Sequence, residues 1–180
     1  MQKGAAALAA AVLIVIAVIA GAAAGGATSQ YVRIHIRAHS NAAFDQNVKY
    51  AVKDAVTELL TPLLAQCESK DKAKAAVSGA LADIERAANS ALAAGGADYR
   101  ARARLDAEQF PARSYGGFLL EDGVYDALII ELGSGTGDNW WCVVYPPLCF
   151  VGYGDNGGTD IHYRSKLLEI IENFKKSLQN

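Results

Sequence analysis

Over residues 31–39 apolar and polar side chains alternate strictly. Val32, Ile34, Ile36 and Ala38 fall on one side, Tyr31, Arg33, His35, Arg37 and His39 on the other. A period of two predicts a β-strand, here one with a wet face. The period then lengthens: Phe44, Val48, Ala51, Val52, Ala55, Val56, Leu59 and Leu60 recur at helical spacing. Ser40 and Asn41 are candidate N-caps for this helix, Asp45 falls in its first turn, and Pro62 should end or kink it near Thr61. A second helix is predicted over 71–93, where Ala73, Ala76, Val77, Ala80, Leu81, Ile84, Ala88 and Leu92 form a stripe of mostly small residues stopped by Gly95-Gly96.

Alternation returns at 99–106, and a nearly continuous apolar run within 124–132 predicts a well-covered central strand. The glycines at 133, 135 and 137 read as a hairpin turn into a further strand at 140–145, which Pro146-Pro147 stops. A polar loop at 152–158 leads to a last helix from about 165 to 178, with Leu167, Ile170, Ile171, Phe174 and Leu178 on one face and Lys175 and Lys176 at its C-terminal end. The order strand, helix, helix, strand, strand, strand, helix predicts an α+β fold: a single mixed or antiparallel sheet of about four strands packed against helices. No internal repeat interrupts it.

Ahead of these elements lies a different composition. Residues 4–27 carry no charge and Lys3 precedes them; the run at 8–20 has the length of a signal-peptide core, and Ala22-Ala23-Ala24 offers the small side chains a signal peptidase accepts. Cleavage after Ala24 is the favoured reading. The competing one is a retained anchor, since 24 uncharged residues rise about 36 Å as a helix at ~1.5 Å each. Residues 1–27 are therefore a signal peptide or membrane anchor, and 28–180 a single exported domain.

The 180 residues are 52% hydrophobic and 20% charged, enough apolar content to bury a core and too much for a disordered chain. With 17 bases against 19 acids the net charge is −2, which leaves no basic excess for nucleic acid or for an anionic membrane surface. Three cysteines and three histidines restrict metal and general-base chemistry from the start.

The start RIHIRAHSN at 33–41, the segments FPARSYGGF at 110–118 and GVYDALIIELGSGTGDNWWCVVYPPLCF at 123–150, and the helix carrying Asp45-Gln46 and Asp54-Ala55-Val56 together resemble the stage II sporulation protein R (SpoIIR) family of endospore-forming bacteria. The likeness covers most of residues 31–150; the alanine-rich stretch at 73–94 and the loop at 152–160 match no family motif. It implies a non-enzymatic signalling protein made in the forespore and exported to the space between the two membranes around it. There it would be needed by a membrane-embedded aspartyl protease, SpoIIGA, which processes the precursor of the mother-cell factor sigma-E. The export segment, read independently, fits a signal that must leave its own cytoplasm. Membrane association would be transient or through residues 4–27, and no cofactor is implied.

In an exported chain Cys142 and Cys149, on either side of the Pro-Pro turn, are expected to form a disulfide, with two buried thiols as the alternative. Cys67 is left over and reads as structural. Trp140 and Trp141 are adjacent on a strand and take opposite faces, so the outward one is a partner-contact candidate. Arg113, Tyr115 and Tyr125 lie in or beside the family-like segments and complete that patch, tryptophan, tyrosine and arginine being enriched at binding hot spots. Core packing is the competing reading for each.

Other chemistry finds little support. His35 and His39 share a strand face with Asp45 and His162 as further ligands, but Arg37 stands between them and their Cα atoms would be ~13 Å apart, so no metal site is expected. The glycines at 133–137 are followed by no lysine with Ser or Thr, as a phosphate loop requires. Ser40, Ser114 and Ser165 lack the context of a nucleophile elbow. The alternative function is a secreted cell-envelope hydrolase that uses the histidines.

Overall fold

The computed structural model describes residues 30–115, 118–150 and 161–177. The proposed signal or anchor segment, with Ala24, lies outside them. Among the described residues no helix is long and apolar enough to cross a membrane.

Strand β1 (Val32–Arg37) leads into helix α1 (Ala43–Leu64), then α2 (Lys70–Gly79) and α3 (Leu81–Ala94). Next come β2 (Ala101–Phe110), the short β3 (Arg113–Tyr115) and β4 (Phe118–Leu120), β5 (Gly123–Leu132) and β6 (Asn139–Tyr145), with α4 (Ile161–Ser177) last. Four strands make one sheet in the order β2-β5-β1-β6, while β3 and β4 form a separate antiparallel hairpin. β1 runs parallel to β5 and antiparallel to β6, and β2 is antiparallel to β5, so the sheet is mixed. The fold is α+β.

One face of the sheet carries Val32, Ile34, Ile36, Leu128, Ile130 and Leu132 against Val52, Val56, Leu60, Leu64, Val77, Ile84 and Leu92 of the helices. The other face has its own smaller core of Tyr31, Phe110, Leu120, Tyr125, Ala127, Ile129 and Val143. β1 therefore has no wet face. It lies between β5 and β6, and its polar residues Arg33 and His35 are buried.

Several local expectations are corrected. Ala42, not Ser40 or Asn41, caps α1, without any side-chain cap bond. The Ser40 hydroxyl instead donates to Asp45, and the Asn41 side-chain Oδ1 accepts from Asp138 N–H at 2.6 Å. α1 continues through Pro62 to Leu64. A proline in the last turn removes one backbone donor, and Ala65 N–H still reaches Thr61 O at 3.1 Å. The second predicted helix is two, broken at Ala80 (φ −94°, ψ 2°), whose N–H is shared between Ala76 and Val77 carbonyls.

The glycine segment after β5 is not a hairpin turn, because β1 lies between β5 and β6. It crosses the C-terminal end of β1 instead. Gly137 N–H donates to Ala38 O at 2.9 Å, and the Ser134 and Thr136 hydroxyls donate to His39 O at 2.7 and 3.0 Å. This crossing explains the glycines. Gly133 has φ +58°, and a Cβ there would overlap His39 Nδ1; one at Gly137 would overlap the Ser40 carbonyl.

Candidate functional site

The face opposite helices α1–α3, which α4 touches through Phe174 at Tyr31, is built by strand parity. Alternate residues of β1 (Arg33, His35, Arg37) share it with Trp141 of β6, Tyr125 and Glu131 of β5, and Arg104, Glu108 and Phe110 of β2. The hairpin β3-β4 leans on one end, placing Arg113 and Tyr115 over the sheet.

Arg33 lies at the bottom, 0% exposed. Its guanidinium is 4.2 Å from the Phe110 ring centroid, 4.9 Å from Tyr125 and 5.6 Å from Tyr115, and Nη2 donates to the Tyr115 hydroxyl at 2.6 Å. Among the described residues Nε and Nη1 have no hydrogen-bond partner, and no carboxylate forms an ion pair with the guanidinium. The aromatic faces supply the attraction that a counter-ion would otherwise give. Tyr125 in turn donates to Glu121 O at 2.6 Å, and burial holds its hydroxyl above its ordinary pKa.

Above this cage runs a chain of charges. His35 Nδ1 is 2.8 Å from Glu108 Oε2, and its ring leans on Phe110 and Trp141 at centroid distances of 5.9 and 5.4 Å. Arg37 bonds Glu108 and also Glu131, the latter at 2.7 Å, and Glu131 continues to Arg104 at 3.0 Å. Over the other side of Trp141 lies exposed Arg113, its guanidinium 4.5 Å from the ring centroid. Arginine stacked on a half-buried tryptophan presents a flat, cationic, largely apolar surface suited to a protein partner.

The five predicted contact residues thus separate. Arg113 and Trp141 meet on this face, with half-buried Tyr115 beneath. Tyr125, at 2% exposure, is a core residue that cages Arg33. Trp140 pairs with Ile36 and packs on the helix side of the sheet, so it is remote from the others. Neither tryptophan is free: each is half-buried on its own side. Sequence reasoning assigned Arg33, His35 and Arg37 of β1 to a solvent face, weighing His35 only as a metal ligand or hydrolase residue, and it passed over Glu108, which lies beyond the alternation read at 99–106.

Cys142 and Cys149 form a disulfide with Cα atoms 6.1 Å apart, and Cys67 is a buried free thiol. His39 lies beyond the end of β1, stacked on Tyr99 at 4.4 Å and accepting from Ser134 N–H through Nδ1. Among the described residues no group of three or more His, Cys, Asp or Glu side chains is placed to hold a metal ion.

The fold and this face define an α+β domain whose accessible chemistry is a stacked arginine and tryptophan above an ion-paired sheet. Its family follows from comparison with known proteins. The profile described as stage II sporulation protein R (spore_II_R) matches residues 28–155, and the chain belongs to that family. Over 87 residues it is 34% identical to stage II sporulation protein R of Bacillus subtilis (strain 168), a match spanning 48% of this chain and 39% of that protein. No solved structure matches the chain. Its family ties the protein to sporulation.

Proposed function

We propose that this chain is a secreted, non-enzymatic signal of sporulation: made in the forespore, directed across its membrane by residues 4–27 with cleavage after Ala24, and needed in the intermembrane space to activate the membrane aspartyl protease SpoIIGA, which processes pro-sigma-E. Membership of the family carries this reading. The uncharged N-terminal run supports export, and a disulfide between Cys142 and Cys149 suits an oxidising compartment. Arg113 and Trp141 form the contact surface on which the protease's extracytoplasmic region would dock. For such a signal to act, it must bind the active state of the protease more tightly than the inactive one.

The test is co-expression of the chain, exported, with the protease and the sigma-factor precursor in a host that does not sporulate. Precursor cleavage that depends on this chain is the expected result. Absence of cleavage despite export of folded protein overturns the proposal and favours the secreted hydrolase. Within the same assay, Trp141→Ala and Arg113→Ala should reduce cleavage while secretion and fold persist; unchanged cleavage would remove the contact from this face.

A further inference from the structure

β2 is an edge strand. Its inner side pairs with β5 along its whole length, from Ala101 opposite Leu132 to Phe110 opposite Gly123. Its outer side is covered only where it begins. Ala101 N–H donates to Asn89 Oδ1 at 2.9 Å and Ala103 N–H to Glu85 Oε1 at 2.7 Å, both on α3. Backbone groups alternate in direction along a strand, so Leu105, Ala107 and Gln109 also point theirs outward. Among the described residues, Ala107 N–H meets only the side chain of its neighbour Asp106, and no other element bonds the backbone of Leu105 or Gln109. An uncovered edge of this kind is a template for another strand.

The residues on that edge are antisymmetric in charge. Arg102-Ala103-Arg104 precede Leu105 and Asp106-Ala107-Glu108 follow it. An antiparallel copy centred on Leu105 sets Arg104 against Asp106 of the second copy, Arg102 against Glu108, and Ala103 against Ala107. Opposite charges directly across an antiparallel pair are favourable and like charges are not. Centring on Ala107 instead would oppose Asp106 and Glu108 twice, which fixes the register. The charged residues all lie on the face opposite helices α1–α3, where Arg102, Arg104 and Asp106 are exposed. Asp106 has its nearest cation in its own chain, Arg104 Nε, at 4.0 Å, and so retains capacity for a closer partner. The other face offers Leu105 flanked by alanines.

We propose that the protein forms a two-fold symmetric dimer by antiparallel addition of β2 to β2 about Leu105, which joins the two sheets into one. The Ala101 and Ala103 amides then exchange the Asn89 and Glu85 oxygens for main-chain carbonyls of the second copy. This interface is independent of the Arg113 and Trp141 surface.

Cysteine cross-linking reads the register directly. Two residues facing each other as a hydrogen-bonded antiparallel pair have Cα atoms ~5.5 Å apart, within disulfide reach. Residues at 107 in the two copies would be about 14 Å apart, four steps of ~3.4 Å along the strand. Full-length chain carrying Leu105→Cys, exported to an oxidising compartment, should run as a dimer under non-reducing conditions, and Ala107→Cys as a monomer. Equal cross-linking of both variants, or of neither, overturns the proposal. Because Leu105 is half-buried, a second measurement uses exposed charges: in sedimentation of the full chain in detergent, Arg104→Asp should weaken the dimer at least tenfold and Arg104→Asp with Asp106→Arg should restore it. A double variant no better than the single one would refute the pairing.

Discussion

Tyr115→Phe isolates the contact that holds the hairpin to the sheet. The hydroxyl is 2.6 Å from Arg33 Nη2 and is the hydrogen-bond acceptor of a guanidinium whose Nε and Nη1 have none. The substitution keeps the ring 5.6 Å from the guanidinium, so the cation–π contact and the buried area barely change. What disappears is a hydrogen bond to a charged group, worth about 1.5–3 kcal/mol when the group left behind is buried. Water does not replace it, because Arg33 is fully buried. Tyr115→Phe should therefore destabilise the domain by about 2 kcal/mol. Arg33→Met fills a similar volume without charge, and replacing a buried ion by a well-packed apolar side chain is often neutral or stabilising. In that background Tyr115→Phe has no cation to abandon and should change stability by no more than about 0.5 kcal/mol.

The assay is urea unfolding with the disulfide intact, followed by tryptophan fluorescence and extrapolated linearly to water for the four combinations of the two substitutions. A coupling of about 1–2 kcal/mol is expected. If Tyr115→Phe costs the same with methionine at position 33 as with arginine, the hydroxyl is not serving Arg33 and the cage is wrongly assigned.

Gly133→Ala should cost about 1–3 kcal/mol, since φ is +58° and the new methyl group overlaps His39 Nδ1. Gly96→Ala, at φ +82° with open space around it, should cost only about 1 kcal/mol; equal losses in a thermal melt would dismiss the crossing loop as the cause. The pair Asp45 and Tyr99, 2.6 Å apart, sets a pH window. Hydrogen bonds from Ser40 and Tyr99 hold the Asp45 carboxyl below its ordinary 3.8, so its contribution is present above that pH and is lost as pH falls through the lowered value. Burial, then Asp45, raises the Tyr99 hydroxyl above its ordinary 10.0, so that contribution is full below pH 10 and is lost as pH rises beyond it. Asp45→Asn should flatten the acid limb of a stability–pH curve and Tyr99→Phe the alkaline limb; unchanged limbs would show that other groups govern them.

The elements legible in the sequence were those whose pattern is local. The alternation of β1, the helical spacing of α1 and the apolar run of β5 each produced the expected element, because period alone distinguishes them. The misreadings involve partners distant in sequence. Arg33 looked solvent-exposed until Phe110 and Tyr115 were brought over it, and the glycine segment looked like a hairpin until β1 came between β5 and β6. The break at Ala80 was hidden because Ala73, Val77, Ile84, Ala88 and Leu92 keep an inward stripe across it. For the site, parity separated Trp140 from Trp141 correctly, but only the placement of the hairpin shows that Arg113 chooses Trp141.

A hydrolase reading needs an imidazole with one nitrogen oriented by a carboxylate and the other open to a nucleophile and a substrate. His35 meets the first condition, with Glu108 at 2.8 Å. It fails the second. At 6% exposure its ring is wedged between Phe110 and Trp141, and Nε2 is buried with no hydrogen-bond partner among the described residues. Glu108 reaches His35 and Arg37 from β2, across the intervening β5, so the imidazole's work here is to tie three strands together. His35→Phe should then keep the aromatic packing and lose one tie, lowering stability by about 1–2 kcal/mol while Arg37 still satisfies Glu108. In the co-expression assay, precursor cleavage should fall only in proportion to the folded fraction. If His35→Phe abolished activity with the folded population intact, the imidazole would be acting chemically, and the signalling reading would give way to an enzymatic one.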